Sequence, residues 1–299
     1  KFLTSYITLV QDKEVMVELE KGGSLVFKTQ SGSTKFKWLA ADKFPTIPMI
    51  PTLTPLVLKG SDLKTAIEKT LFSTADGGLR PMLAGIYTRV KAGRFIMAST
   101  DSFRLSEIQI DTGKEIDQVP IIIPEKTASE LARIITDDTK EVALYTHESQ
   151  TLIVLGPIRL TSRLLSGKFP DYESFFPNEH RTKSTILRGE FVNALKQANL
   201  VARENNYNTR IRSKHEGVIE ISTGDTEIGA SSISISGSVE WQEDVIGINS
   251  DYLLQTLSVM REDYISIEYK NPLSPIVIRG VPAENGGKSY RHLIMPLKI

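Results

Sequence analysis

The chain has 299 residues, 40% apolar and 24% charged, and its 36 basic and 36 acidic side chains cancel to a formal net charge of zero. That length accommodates two or three domains with separate cores, while the balanced charge excludes a uniformly basic exterior and leaves room for one basic face offset by an acidic one. The absence of cysteine excludes disulfides, zinc–thiolate sites and thiol catalysis and fits a reducing cytoplasm, the expected location; no apolar run reaches bilayer length and the first residues lack the apolar core of a signal peptide.

In chain order, Phe2–Val10 reads as a helix, followed by the alternating Val15, Val17 and Leu19 and by a strand at Leu25–Thr29 behind the turn Lys21-Gly22-Gly23-Ser24. Lys35-Phe36-Lys37-Trp38 sets two lysines on one face and two large apolar side chains on the other. That pattern suits a sheet edge, where lysine discourages stray pairing, and suits half of a subunit contact equally. Residues 1–52 are expected to form the later part of a domain whose front is absent. Phe44-Pro45-Thr46-Ile47-Pro48 and the prolines from Pro51 to Pro55 read as an extended connector.

Beyond the connector the chain repeats itself. Val57-Leu58-Lys59-Gly60 runs into a helix whose Leu63, Ala66, Ile67 and Thr70 share one face, and Ile186-Leu187-Arg188-Gly189 runs into a helix with Phe191, Ala194, Leu195 and Ala198 likewise aligned. Spacings of three and four place such side chains on a stripe that needs a core. A second pair, residues 122–134 and 247–257, again joins an apolar strand end to a helix, and an acidic pair (Asp137-Asp138; Glu262-Asp263) follows each. Two different pairs in the same order indicate duplicated domains, at 53–180 and 181–299.

Strands are expected in the first copy at 82–90, 94–98, 104–110, 118–123, 141–145, 151–155 and 158–164, and in the second at 218–222, 227–236, 239–245, 264–269, 276–280 and 290–296. Glu284-Asn285-Gly286-Gly287 is a hairpin tip. The fold class is therefore α+β, each duplicated domain carrying two helices packed on antiparallel sheets.

No constellation of catalytic residues emerges. Gly287-Lys288-Ser289 matches the end of a phosphate loop, but Pro282 stands where its first glycine belongs. Nucleophile elbows, zinc-binding helices and calcium loops are missing. The histidines at 147, 180, 215 and 292 are scattered and read as surface side chains. A duplicated hydrolase using Asp101 or Asp137 is the rival reading, and the missing motifs argue against it. The basic residues Lys64, Lys69, Lys126, Arg133, Lys196 and Arg203 lie on or beside the repeated helices; on a common surface they would attract duplex phosphates without reading sequence.

Arg80-Pro81-Met82-Leu83, Ser99-Thr100-Asp101-Ser102-Phe103-Arg104-Leu105, Gly167-Lys168-Phe169-Pro170-Asp171-Tyr172 and the terminal Met295-Pro296-Leu297-Lys298-Ile299 resemble the bacterial DNA polymerase III beta subunit, the sliding-clamp family. The resemblance runs in order along the whole chain. It implies the DNA clamp fold, a ring of two chains around duplex DNA, helices lining the hole, and no cofactor, metal or chemistry of its own. It implies as partners duplex DNA read without regard to sequence, the polymerase III catalytic subunit, the clamp loader and other proteins carrying a clamp-binding peptide.

The resemblance also implies site residues. A partner peptide would enter a pocket formed by Leu83, Thr100, Arg104, Leu105, Pro170, Phe175, Tyr207, Asn249, Tyr252, Leu273, Leu293, Met295, Pro296 and Leu297; DNA would meet Lys126 and Arg133; the ring joint would use Phe36 and Trp38 against Leu200 and Val201. The chain departs from the family at Ser102-Phe103, where Gly-His is common, and at its Leu-Lys-Ile ending. A peptide-binding adaptor that never encloses DNA is the alternative.

Overall fold

The computed structural model describes residues 2–20, 22–37, 42, 50, 54–113, 117–214, 216–241 and 243–298. Trp38, His215, Ile299 and most of the proline-rich connector lie outside the described residues. The chain divides into two compact units, Lys1–Met49 and Ile50–Ile299.

The first unit holds helix α1 (Phe2–Leu9) and the strands β1 (Met16–Glu20), β2 (Ser24–Thr29) and β3 (Gly32–Lys37), paired antiparallel in that order. Its packing centres on three edge-to-face rings, Tyr6, Phe27 and Phe36. The alternation read in the sequence puts Phe36 inward while Lys35, on the opposite face, pairs with Glu20. No residue of α1 is buried, every residue of β1 is exposed, and Phe2, Leu9, Met16 and Leu19 are each more than half open.

The second unit begins with β4 (Leu56–Lys59) and α2 (Gly60–Leu71). It continues through β5 (Gly85–Lys91), β6 (Arg94–Thr100), β7 (Arg104–Asp111) and β8 (Gln118–Pro124) into α3 (Glu125–Ile134), then β9 (Glu141–His147), β10 (Gln150–Leu155) and β11 (Ile158–Arg163). The plan returns as β12 (Thr182–Leu187), α4 (Arg188–Ala202), β13 (Asn208–Lys214), β14 (Val218–Thr223), β15 (Ser232–Trp241), β16 (Asp244–Asn249), α5 (Ser250–Ser258), β17 (Tyr264–Tyr269), β18 (Ile276–Asn285) and β19 (Lys288–Ile294). Both repeated motifs are thus strands that run straight into helices. The stripes are as expected: Leu63, Ala66, Ile67 and Thr70 of α2 are completely buried, as are Phe191, Leu195 and Ala198 of α4.

The strands form a 4-stranded sheet, β11-β10-β9-β4, and a 12-stranded sheet, β16-β13-β14-β15-β12-β17-β18-β19-β7-β6-β5-β8. The larger sheet runs continuously through both copies because β19 pairs antiparallel with β7, from Lys288 opposite Ile110 to Ile294 opposite Arg104. One apolar core beneath the helices extends across that junction.

Three expectations need correction. Pro81–Leu83 is a short 3-10 turn and not the start of a strand, with the Leu83 amide donating to the Arg80 carbonyl; Pro81, lacking an N–H, suits the first position of such a turn. The strand at 208–214 was not expected. The strands expected at 227–236 and 239–245 are instead β15 and β16, because residues 225–229 close into a turn through mutual Thr226–Gly229 hydrogen bonds, and the chain does not break at Gly237. There β15 changes partners: Ser232–Ser236 pair with β14, and Gly237–Trp241 pair with β12.

A Cβ on Gly237 would lie 2.8 Å from Ile219 Cγ1 and 3.1 Å from the Thr185 carbonyl oxygen. Gly237 is therefore a bend that needs close approach of its neighbours. Gly237→Ala is expected to cost about 1–3 kcal/mol of stability through overpacking, measured by urea denaturation; a loss too small to detect would refute this role.

Candidate functional site: a groove at the junction of the two copies

The β7–β19 ladder and the segment joining the copies enclose a cavity of about 920 Å³. Period-two alternation assigns its floor: Leu105 and Leu293 lie opposite each other in the ladder, both buried, and both line the cavity. Leu83, from the 3-10 turn, and Thr100 complete the inner side. Pro170, Ser174, Phe175 and Pro177 from the joining segment form a wall, and Met295 with Phe103 the lip. Phe103 is 61% exposed, Phe175 49% and Met295 42%. So much apolar surface around one opening marks a place where something binds.

The loop before β7 is held rigidly. Asp101 Oδ1 accepts hydrogen bonds from the Phe103 and Arg104 amides at 2.9 and 3.0 Å, and Oδ2 accepts from Arg104 Nε at 2.9 Å. Ser102 takes a φ of 83°, a conformation that favours glycine. The Phe103 carbonyl accepts from the Met295 amide at 2.8 Å, stitching the loop to the end of the chain.

Arg104 reaches the remaining elements. Its guanidinium donates to Gln255 Oε1 of α5 and to the Phe72 carbonyl beyond α2, each at 2.7 Å, and its Cζ lies 4.3 Å from the centre of the Tyr252 ring. Both Asp101 and Arg104 are thus occupied by one another and by the scaffold, which removes Asp101 as a hydrolytic base. Burial, followed by the Asp101 charge, raises the Tyr252 hydroxyl above its ordinary value.

Of the residues expected at a peptide pocket, Leu83, Thr100, Arg104, Leu105, Pro170, Phe175, Leu293 and Met295 line this cavity. Tyr207, Asn249, Tyr252, Leu273, Pro296 and Leu297 do not. Asn249 caps α5, its Oδ1 accepting from the Asp251 and Tyr252 amides. The Tyr207 carbonyl accepts from the Ser250 amide at 2.9 Å, and the Leu297 amide donates to the Gly247 carbonyl, also at 2.9 Å. Leu273 is 79% exposed, on the turn whose Lys270 and Ser274 do line the cavity. Arg80, Asn178, Glu179 and Lys270 also line the mouth; of these only Arg80 belongs to a motif legible in the sequence, Arg80-Pro81-Met82-Leu83.

Elsewhere, Lys126 is exposed and Arg133 is paired with Glu130 one helical turn away. Leu200 is 64% exposed and Val201 half-buried on α4. Phe36 packs within the first unit. Asp137, the other carboxylate of the rival hydrolase reading, is exposed.

His292 corrects another expectation. It is fully buried rather than on the surface, with Nδ1 2.8 Å from Ser106 Oγ and its ring stacked between Phe72 and Tyr290. Burial, reinforced by the Arg104 charge, holds its pKa well below the ordinary 6.5. The folded chain keeps His292 neutral while the unfolded chain protonates it, so its contribution is intact above the unfolded pKa and is lost as pH falls below it. Stability is expected to fall by about 1.4 kcal/mol per pH unit from this group below pH ~6.5. Urea titrations at pH 7 and 5.5 test this: His292→Phe should show a correspondingly smaller drop, and an unchanged drop would refute it.

The sequence and the fold both match known proteins. Residues 57–171 match the family model for the DNA polymerase III beta subunit, central domain, and residues 173–298 that for its C-terminal domain. The chain is 26% identical over all its 299 residues to the beta sliding clamp of Staphylococcus aureus and 27% identical to that of Staphylococcus epidermidis, covering 78% of each. The solved DNA polymerase sliding clamp of Bacillus subtilis superposes with a TM-score of 0.92 at 26% identity, over 100% of this chain and 78% of that one. The beta chain from Streptococcus pneumoniae, at 22% identity and a TM-score of 0.91 over 100% and 79%, shares the fold. With the central and C-terminal domains matched in order, the chain belongs to the DNA polymerase III beta subunit family, the non-catalytic sliding clamps.

Proposed function

We propose that this sliding clamp closes as a ring of two copies around duplex DNA and holds replication enzymes there through peptides seated in the junction groove. The groove is the observation that carries the reading: apolar floor and lips, a rigid scaffold, and residues from both copies of the duplicated domain converging on one opening. An extended peptide with apolar side chains fits such a cleft. Partners in this reading are the polymerase III catalytic subunit, the clamp loader and other proteins bearing such a peptide, and the location is the cytoplasm. Among the described residues no helix is long and apolar enough to cross a membrane.

Residues 1–52, 53–180 and 181–299 act as successive clamp domains. The ring joint sets Phe36 and Trp38 of one copy against Leu200 and Val201 of the other. Lys126 and Arg133 face the duplex; with Arg133 already paired to Glu130, the pull on phosphate is modest and screened by salt. Topology then does the holding.

Two experiments test this. In the presence of an ATP-driven clamp loader, the protein should be retained on nicked circular plasmid in gel filtration and be released when the plasmid is linearised. Equal retention on both forms would refute enclosure, and retention on neither, with peptide binding intact, would favour the adaptor reading. Deleting residues 295–299 should abolish binding of a labelled peptide carrying adjacent Leu and Phe, with the circular dichroism spectrum preserved; unchanged affinity would refute the groove.

A further inference from the structure

Glu107 is a carboxylate 1% exposed in the middle of the larger sheet. Neither enclosure of DNA nor peptide binding assigns it a role, and it does not line the groove. Burying a charge is costly unless it is paired and hydrogen-bonded, so its surroundings carry information. Glu107 lies opposite Arg291 in the ladder that joins the two copies. Arg291 Nε donates to Glu107 Oε1 at 2.7 Å, and Gln109 Nε2 donates to the same oxygen at 2.9 Å. That guanidinium lies over the Phe176 ring, with Cζ 3.7 Å from the ring centre.

Phe176 is buried, and its chain neighbours Phe175 and Pro177 both line the groove. The same segment carries Tyr172, also buried. Burial and then the charge of Glu107 push its hydroxyl well above the ordinary range, keeping it protonated beside the carboxylate. Further out, Glu173 of this segment pairs with Arg89 of β5, and Phe169 and Tyr172 pack on Tyr87. The segment is irregular apart from one 3-10 turn, so no ladder fixes it. Its position depends on what its side chains grip.

We infer that the Glu107–Arg291 pair positions the groove: Glu107 orients the Arg291 guanidinium, the flat guanidinium seats Phe176, and Phe176 sets the wall formed by Phe175 and Pro177. Glu107 is a positioning residue that touches no peptide. The inference rests on the reading of the groove as a peptide site. A preformed wall spares the peptide the cost of ordering it, so loosening the wall weakens binding without removing any contact residue.

The test uses the full chain and a fluorescein-labelled synthetic nonapeptide ending in Leu-Phe, followed by fluorescence anisotropy, with thermal midpoint and solution mass recorded in parallel. Glu107→Gln keeps the side-chain shape and should weaken the peptide about tenfold with unchanged mass. Arg291→Lys keeps the charge but not the flat stack on Phe176, and should weaken it comparably; this second variant serves if the first does not fold. A role in stability alone would lower the thermal midpoint and leave the affinity of the folded protein at the parent value. Met295→Glu, which places a charge on the lip itself, tests the underlying reading. If Met295→Glu abolishes binding while Glu107→Gln and Arg291→Lys bind like the parent, the positioning role is overturned and the groove stands. If Met295→Glu binds normally, the groove reading falls and the inference with it.

Discussion

The antiparallel ladder between β7 and β19 is the constraint on which the rest of the second unit depends. It turns two copies of one domain into a single hydrogen-bonded sheet, and its register decides what each face meets. Because side chains alternate, Leu105 with Leu293 and Glu107 with Arg291 project toward the joining segment and the groove. Ser106 and His292 project the other way, toward the helices, where Ser106 meets Ser73 beyond α2. A slip of one residue in β19 would turn that strand's side chains over, opening His292 to the groove and carrying Arg291 away from Glu107.

Charge at this junction is placed with matching care. Lys69 of α2 is 8% exposed and lies 3.6 Å from Glu262 of the second copy, with its ammonium 4.6 Å from the centre of the Tyr290 ring. Burial lowers its pKa while Glu262 works to raise it. Lys288 of β19 reaches back to Asp62 of α2 at 2.6 Å. Pairs as buried as Lys69–Glu262 add little net stability against apolar replacements, yet losing one partner strands the other. They therefore fix how the copies dock more than how strongly they do so, which a groove shared between copies requires.

In the proposed function the groove and the helices serve different demands. A peptide site needs fixed geometry, and Asp101, Arg104 and the Phe103–Met295 hydrogen bond provide it. A surface that slides on DNA needs the opposite, a shallow attraction. The helices carry acidic residues among the basic ones, with Glu130 beside Arg133 and Glu125 beside Lys126.

Helical period three-four and strand period two were enough to read the repeated motifs, the α+β class and the buried stripes of α2 and α4 from the residues, because these depend on neighbours close in sequence. The loop motif around Asp101 and the chain ending were legible for the same reason, and they carried the family resemblance. Gly237 was not: whether a glycine breaks a strand or bends it depends on Ile219 and Thr185, which are remote in sequence. His292 looked like a surface residue because its burial requires Ser106 and Phe72 from the other copy. The same holds for Arg80, Glu179 and Lys270 at the groove mouth and for the buried Glu107. The sequence determined which segments would fold and which of their faces would be apolar; the pairing of β7 with β19 decided which segments met, because that contact is made between strands far apart in the chain whose own patterns admit many partners.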